Sequence, residues 1–143
     1  PNNPDPAEII NMSLGGSGSC FSTSATQLAI NGAISRGTTI IVAAGNNNAD
    51  ASSKTPASCA GVITVGATGV DGSRAFYSNY GLNVALSAPG VAVGDGSTLD
   101  ASNVIWSTGN TGTTTPVASA DGGDVYVGMV GTSMASPHVA GVA

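Results

Sequence analysis

A strand, a helix and a second strand are predicted in that order within residues 9–44, and this order constrains the fold more than any other feature. Apolar runs at 9–14 and 39–44 are each closed by glycine. Between them, apolar or small residues recur at helical spacing across 24–36, and Gly37 is placed to end that helix. Since about 25 residues separate the two strands, we expect them to be parallel and adjacent.

The remaining segments favour an α/β fold with a mostly parallel sheet flanked by helices. Further strands are predicted at 62–67 and 84–88, and a helix rich in small residues is predicted at 133–143. Residues 92–124 are rich in Gly, Ser and Thr, so we expect hairpins or loops there. The length of 143 residues suits one domain.

Charge and composition exclude several classes of function. Eight Asp and Glu against three Lys and Arg give a net charge of −5, so neither nucleic acid nor a membrane surface is an expected partner. No apolar run approaches the ~20 residues that cross a bilayer. Two cysteines and one histidine predict no zinc or other metal site. The scarcity of charged residues, at 8%, favours a secreted protein.

Small, glycine-containing segments follow both strands of the predicted unit. In parallel sheets, functional groups lie beyond the carboxyl ends of the strands. These ends carry SLGG at 13–16 and AGN at 44–46, which predicts a cleft with the amide of Asn46 at its edge. Ser133 follows Gly131 at the start of the last helix, where developing negative charge is favoured. On spacing alone, a serine there is more often only an N-cap.

Several short motifs carry more information than their spacing. They are SLGG at 13–16, AAGN at 43–46, SNYG at 78–81, APG at 88–90 and GTSMASPHVAG at 131–141. In identity and order, these motifs resemble those of the subtilases, the subtilisin-like serine proteases. Residues 43–67 are especially similar to the proteinase K-like branch. The resemblance covers nearly all of the chain except 91–124, and it implies the C-terminal part of a subtilisin-like fold.

The resemblance implies a serine endopeptidase that hydrolyses peptide bonds through an acyl-enzyme. Ser133 takes the position of the nucleophile. Asn46 takes that of a side-chain donor to the oxyanion, with the Ser133 N–H as the second donor. An extended peptide would pair with the backbone of 13–15 as an added strand. The residues implied to bind the substrate or to wall its primary pocket are Ser13, Leu14, Gly15, Gly16, Ala43, Ala44 and Gly45.

A nucleophilic serine also needs a base and an orienting carboxylate. His138, the only histidine, lies five residues after Ser133 in the same predicted helix, so it is turned away from the serine and is expected to be structural. In subtilases the catalytic Asp and His precede the segment seen here, and both ends of the chain look cut. We therefore expect residues 1–143 to be a partial peptidase domain that is inactive by itself.

The two cysteines, Cys20 and Cys59, follow the two regions expected to form the cleft. A bridge between them closes a loop of about 40 residues, which stabilises the fold by roughly 4 kcal/mol through loop-closure entropy. Two buried free thiols are the alternative. Secretion favours the disulfide.

Lys54 and Ala85 depart from the proteinase K-like pattern. Lys54 stands near the base of the pocket, where tyrosine is usual; it either favours acidic side chains there or is simply a solvated loop lysine, since lysine is rarely buried unpaired. Ala85 replaces an aspartate that holds calcium together with carbonyls near Ala60 and Val62. We expect that site to be empty or weak. The chemistry requires no cofactor, and calcium sites outside this segment stay open.

Rival functions share the same cleft. An acyl transferase or macrocyclase would exclude water from the acyl-enzyme, for which 91–124 is the candidate covering insertion. A pseudoprotease would bind peptides but lack the base or the carboxylate. A purely structural sandwich conflicts with the strand–helix–strand order. The leading interpretation is a secreted, monomeric endopeptidase that acts on proteins or peptides in extended conformation.

Overall fold

The structure, a computed structural model, describes residues 4–91 and 101–143. Its strands are β1 (Ile9–Met12), β2 (Gly16–Ser17), β3 (Thr39–Ala43), β4 (Lys54–Thr55), β5 (Ile63–Thr68), β6 (Val84–Pro89), β7 (Ile105–Asn110) and β8 (Asp124–Met129). Its α-helices are α1 (Ala25–Ile34) and α2 (Thr132–Ala140). Neither described helix is long and apolar enough to cross a membrane.

The central sheet is parallel and has the order β1-β3-β5-β6. β1 and β3 are adjacent, with Ile10 opposite Ile40, and α1 connects them. The predicted strand–helix–strand unit and the α/β class are therefore confirmed.

Side chains of β3 alternate between two hydrophobic clusters, one on each face of the sheet. Ile40 and Val42 pack with Ile30 of α1, whereas Ile41 packs with Ala135 of α2. All are buried, which explains why β3 reads as a continuous apolar run. The two helices therefore cover opposite faces, and α2 is fixed against the sheet beside the carboxyl ends of β1 and β3.

Local hydrogen bonds set the limits of α1. The Ser24 hydroxyl accepts from the Gln27 N–H at 3.2 Å, which caps the first turn. Beyond the helix, Gly37 has a φ of +90°, and its N–H donates to the Ile34 carbonyl at 2.9 Å. This left-handed glycine ends the helix as the sequence predicted.

Three features differ from the sequence-based expectation. β1 ends at Met12 rather than at 14, because its pairing with β3 stops there, and the Ser13 hydroxyl just beyond it donates to the Ser133 carbonyl, 2.7 Å away on α2. β2 and β4 form a two-residue antiparallel pair that no periodicity predicts. β7 and β8 form an antiparallel pair: β7 lies within the segment 92–124 expected to hold hairpins or loops, whereas β8 begins at the last residue of that segment and extends to Met129, where no strand was predicted. Residues 92–100 lie outside the described residues.

Candidate active site

A cleft of about 460 Å³ opens at the carboxyl ends of β1 and β3, with β2 and β4 along its wall. All nine residues implied to act on or bind a substrate line this cleft. They are Ser13, Leu14, Gly15, Gly16, Ala43, Ala44, Gly45, Asn46 and Ser133. Segments that are far apart in the sequence therefore meet at one site.

Ser133 is half-buried in the first turn of α2, beside the cleft. Its hydroxyl donates to the Ser13 carbonyl over 3.4 Å, a long contact that leaves the oxygen weakly held. Its N–H belongs to the helix start, where amides lack acceptors within the helix. Within the described ranges this N–H has no hydrogen-bond acceptor. The helix N-terminus adds a partial positive charge there.

Thr132 fixes the amide orientation of Asn46. The Asn46 Oδ1 accepts from the Thr132 N–H at 2.9 Å and from the Thr132 hydroxyl at 2.8 Å. Because a backbone N–H only donates, the oxygen of the amide must face Thr132 and the NH₂ group must face away. Residues 4–91 and 101–143 supply no acceptor for this NH₂ group, which leaves two donors available at the cleft.

Gly131 brings two donors to the same space. A Cβ added at Gly131 would lie 3.1 Å from the Asn46 Nδ2 and 3.7 Å from the Ser133 nitrogen. The φ of Gly131 is +149°, a conformation that side chains rarely adopt. The Asn46 Nδ2 and the Ser133 nitrogen thus both border the space that a side chain at position 131 would occupy. A small anion generated beside Ser133 would meet the two donors together.

Two polar residues that sequence reasoning passed over hold the turn that carries Asn46. Thr132, fully buried, also accepts the Gly45 N–H at 3.0 Å through its hydroxyl. Asn79, also buried, donates to the Ala44 carbonyl at 2.8 Å and accepts from the N–H groups of Asn47 and Ala49. Both residues stand inside motifs that were recognised, GTS and SNYG, so the motifs signalled them without assigning their contacts.

A second polar cluster joins α2 to the end of β1. The Ser13 hydroxyl donates to the Ser133 carbonyl at 2.7 Å and lies 3.0 Å from the Ser136 hydroxyl. Asn11 accepts from Ser136 at 2.8 Å and donates to Ser13 at 3.0 Å. These bonds fix the position of the helix that carries Ser133 relative to the wall formed by 13–16.

Tyr77 supports the segment before α2. Its hydroxyl lies 2.7 Å from the Gly90 carbonyl and 2.6 Å from the Val91 carbonyl, so one hydrogen is shared between two acceptors. The Gly90 carbonyl also accepts the Gly131 N–H at 3.0 Å. Burial raises the pKa of Tyr77 to about 12.

His138 is directed away from Ser133. Five residues along an α-helix turn a side chain by about 140° relative to the first. The Nδ1 of His138 donates to the Met134 carbonyl at 2.7 Å, on the exposed side of α2. The described residues hold no cluster of three His, Cys, Asp or Glu side chains suited to a metal.

A disulfide joins Cys20 to Cys59, with Cα atoms 4.8 Å apart, which confirms the predicted pairing. Cys20 follows β2 and Cys59 follows β4. The bridge therefore ties together the two short strands that form one side of the cleft.

Comparison with known families matches residues 2–143 to the subtilase family, Peptidase_S8. The chain belongs to the subtilase family. It is 53% identical over 142 residues to an extracellular protease of Xanthomonas campestris pv. campestris, covering 99% of this chain and 21% of that protein. It is 45% identical over 143 residues to an extracellular basic protease of Dichelobacter nodosus, covering 100% and 21%. This subtilase chain therefore spans about a fifth of those relatives.

Solved structures support the same family. The chain superposes on a protease from Pseudoalteromonas arctica PAMC 21717 with a TM-score of 0.85 and 50% identity, covering 99% of this chain and 39% of that one. It superposes on a cold adapted subtilisin-like serine proteinase with a TM-score of 0.66 and 39% identity, covering 94% and 39%. The subtilisin-like fold predicted for this member of the subtilase family is confirmed.

Proposed function

We propose that this chain is the nucleophile-bearing and substrate-binding part of a secreted serine endopeptidase. The observation that carries the proposal is the meeting of three groups at one point of the cleft: the Ser133 hydroxyl, the Ser133 N–H and the Asn46 amide. Two hydrogen bonds from Thr132 orient that amide. Secretion is supported by the names of the relatives, which are extracellular proteases.

The groups in the cleft suit acyl transfer. The Ser133 oxygen attacks the carbonyl carbon of a peptide bond, and its proton passes to a base. The carbonyl oxygen becomes negatively charged, and the Asn46 NH₂ group and the Ser133 N–H donate to it. Collapse of this intermediate breaks the C–N bond and releases the protonated amine. Water then hydrolyses the resulting ester and regenerates the serine.

The backbone of 13–15 is the proposed docking edge for the substrate. These residues follow β1 without belonging to a strand, and they are exposed along the cleft. An extended peptide pairs with such an edge through main-chain hydrogen bonds, which tolerate many sequences. Leu14 is 59% exposed and offers an apolar contact beside that edge. Residues 43–45 and 14–16 then form the walls of the primary pocket.

The general base is proposed to come from outside these 143 residues. The only histidine, His138, is engaged with the Met134 carbonyl on α2, the same helix that carries Ser133. In this proposal residues 1–143 are one portion of a peptidase domain, and the orienting Asp and the basic His belong to another portion. The enzyme acts as a monomer and needs no cofactor for the chemistry.

The calcium site expected near Ala85 in proteinase K-like relatives is proposed to be absent or weak. Ala85 brings no side-chain oxygen, and the Ala60 carbonyl accepts a hydrogen bond from the Gln27 amide at 3.0 Å. Calcium requires several oxygen ligands, usually including a carboxylate. The residues present therefore do not fit this ion.

The decisive experiment begins with the gene. Reading the sequence upstream of Pro1 is expected to reveal an Asp in an apolar strand and a His at a helix start. The complete protein should then cleave an unstructured protein such as casein and take up a fluorophosphonate at serine, and Ser133→Ala should abolish both. Absence of either upstream residue, or labelling that persists in Ser133→Ala, contradicts the proposal and favours a peptide-binding pseudoenzyme. Transfer of the acyl group to an added amine in preference to water favours an acyl transferase.

A further inference from the structure

Lys54 is the one charged side chain among the fifteen residues that line the cleft. The others are small or neutral, and none is Asp or Glu. Lys54 is also the only lysine in a chain whose net charge is −5. The cleft that contains Ser133 is therefore lined by one residue with a cationic side chain and by none with an acidic one.

The backbone of Lys54 is held firmly. Lys54 pairs with Ser17 across the β2–β4 ladder. On one side the Gly18 N–H donates to the Ser53 carbonyl at 2.9 Å, and on the other the Ser58 N–H donates to the Lys54 carbonyl at 2.8 Å. The side chain is half-buried in β4 rather than extending from a solvated loop. The side chain thus extends from a backbone segment that is fixed in the wall of the cleft.

The nearest carboxylate along the chain is engaged elsewhere. Asp50 accepts the Ser52 N–H at 2.8 Å through its Oδ1. A Cβ added at Gly81 would lie 2.8 Å from both carboxylate oxygens, so this carboxylate packs against Gly81. Within residues 4–91 and 101–143 no carboxylate forms an ion pair with Lys54.

We propose that Lys54 determines specificity by binding an acidic side chain of the residue whose carbonyl Ser133 attacks. The inference rests on the proposed peptidase function and goes beyond it by naming the preferred substrate. Lys54 is half-buried and no carboxylate of the described residues pairs with it, so an acidic substrate side chain in the cleft would supply its counter-ion. Ala43, Ala44 and Gly45 line the same cleft of about 460 Å³ with small side chains, which leaves room for a glutamate side chain.

The test compares peptides in the complete protein that differ only in the residue before the scissile bond: Glu, its neutral isostere Gln, and Phe. For the unaltered enzyme we expect kcat/KM for Glu to exceed that for Gln about five- to tenfold, the size of one partly screened ion pair. Lys54→Met keeps the apolar stem and should reduce the ratio of kcat/KM for Glu to kcat/KM for Gln to about one. Cleavage after Phe should be maintained. Lys54→Arg keeps the charge and should retain a preference for Glu.

Arg36→Met is the matched control, because it removes one positive charge from an exposed position after α1. It should leave the Glu/Gln ratio unchanged. Two results would overturn the inference and leave the peptidase function standing. In the first, the unaltered enzyme cleaves the Gln and Phe peptides but shows no preference for Glu. In the second, Lys54→Met keeps the preference for Glu over Gln. Failure to cleave any of the three peptides overturns the proposed function and the inference with it.

Discussion

At the scale of single residues, the cleft depends on how one amide is oriented. Asn46 is exposed, and an exposed amide rotates freely unless it is bonded. Here the buried Thr132 supplies both a backbone and a side-chain donor to its oxygen. In the proposed reaction, the entropy of orienting the NH₂ group is therefore lost on folding and not when charge develops on the substrate.

This arrangement predicts different losses of activity for substitutions at two positions, Asn46 and Thr132. Asn46→Ala should lower kcat about 10²–10³-fold with little change in KM, the range measured for a side-chain oxyanion donor in subtilisin. Thr132→Val should lower kcat less, about tenfold, because the backbone N–H of residue 132 still orients the amide. Thr132→Ser keeps the hydroxyl and should restore most of the rate. Steady-state kinetics of the complete protein measure all three, and an equal loss in Thr132→Val and Thr132→Ser would contradict the role of the hydroxyl.

Because Tyr77 is buried, we expect the free energy of unfolding to depend on pH in the alkaline range. Its pKa rises from 10.0 to about 12 on folding, because burial disfavours the phenolate. A group whose pKa is raised in the folded state contributes stability that is complete below the unfolded pKa and is lost as the pH rises through the folded one. The stabilising contribution of the hydroxyl should therefore decline between pH 10 and 12.

Comparison with Tyr77→Phe isolates this contribution. At pH 7 the variant should be less stable by about 1–2 kcal/mol, because two buried carbonyls lose their shared donor. Denaturant unfolding of both proteins from pH 8 to 12 should show the difference shrinking at the alkaline end. A difference that stays constant across this range would assign the effect to packing alone.

The candidate site could be predicted from the sequence residue by residue where a motif names a chemical role. In this way the motifs placed Ser133, Asn46 and the glycines of 13–16 at one cleft, which is where the structure has them, and their chemical roles stay predictions. The roles of Thr132 and Asn79 could not be found, because their partners lie 86 and 35 positions away in the chain. The sequence allowed two interpretations of Lys54, a pocket lysine or a solvated loop lysine. The structure places it in β4, a two-residue strand that is too short to show periodicity in the sequence.

At the scale of elements, the turn after β3 has little room. Gly45 has a φ of +101°, and a Cβ there would lie 2.5 Å from the Asn79 Nδ2. Gly37 has a similar φ of +90°, but nothing lies within 4 Å of its Cβ position. The two glycines share the conformational constraint and differ in crowding.

Alanine substitutions at these glycines should separate the two effects. Gly37→Ala should cost about 1–2 kcal/mol, the penalty of a left-handed backbone for an L-residue. Gly45→Ala should cost clearly more, since Asn79 must also move, and it should lower activity by displacing Asn46. Denaturation and kinetics of the complete protein test this pair. Equal destabilisation by both variants, with activity preserved, would show that the turn can relax around the added methyl group.

A strand or helix could be predicted from the sequence when many of its residues repeat one pattern of apolar spacing. β3, α1 and the parallel pairing of β1 with β3 were predicted because each rests on an extended run of apolar spacing. The early end of β1 was not predicted, because it is set by the extent of the pairing with β3, which stops at Met12. The β2–β4 pair is likewise fixed by tertiary contacts and by the disulfide rather than by propensity.

At the scale of the whole molecule, much apolar surface of the described residues lies open. Between β6 and the end of α2 runs a groove of about 560 Å³ with mostly apolar walls. Leu86 and Val142, which line it, are 42% and 89% exposed. β1 and β6 are the outer strands of the described sheet. Uncovered apolar faces and open strand edges both favour association.

Residues 1–143 produced alone are therefore expected to be marginally stable. They should bind a hydrophobic dye such as ANS, elute as a broad or aggregated species in size-exclusion chromatography, and unfold without a sharp transition. The complete protein should show none of these properties. Cooperative unfolding of the isolated chain, without dye binding, would mean that its own contacts suffice for a stable fold.

The bond between Thr132 and Asn46 also has a consequence in time. Thr132 is synthesised 86 residues after Asn46. At ~5–20 residues per second, this places the two about 4–17 seconds apart on the ribosome. During that interval the emerging polypeptide already carries residues 13–16 and 43–46 of the cleft, but it has neither Ser133 nor the partner that aligns the Asn46 amide. The complete cleft can therefore form only after the last of its lining residues has been added to the chain.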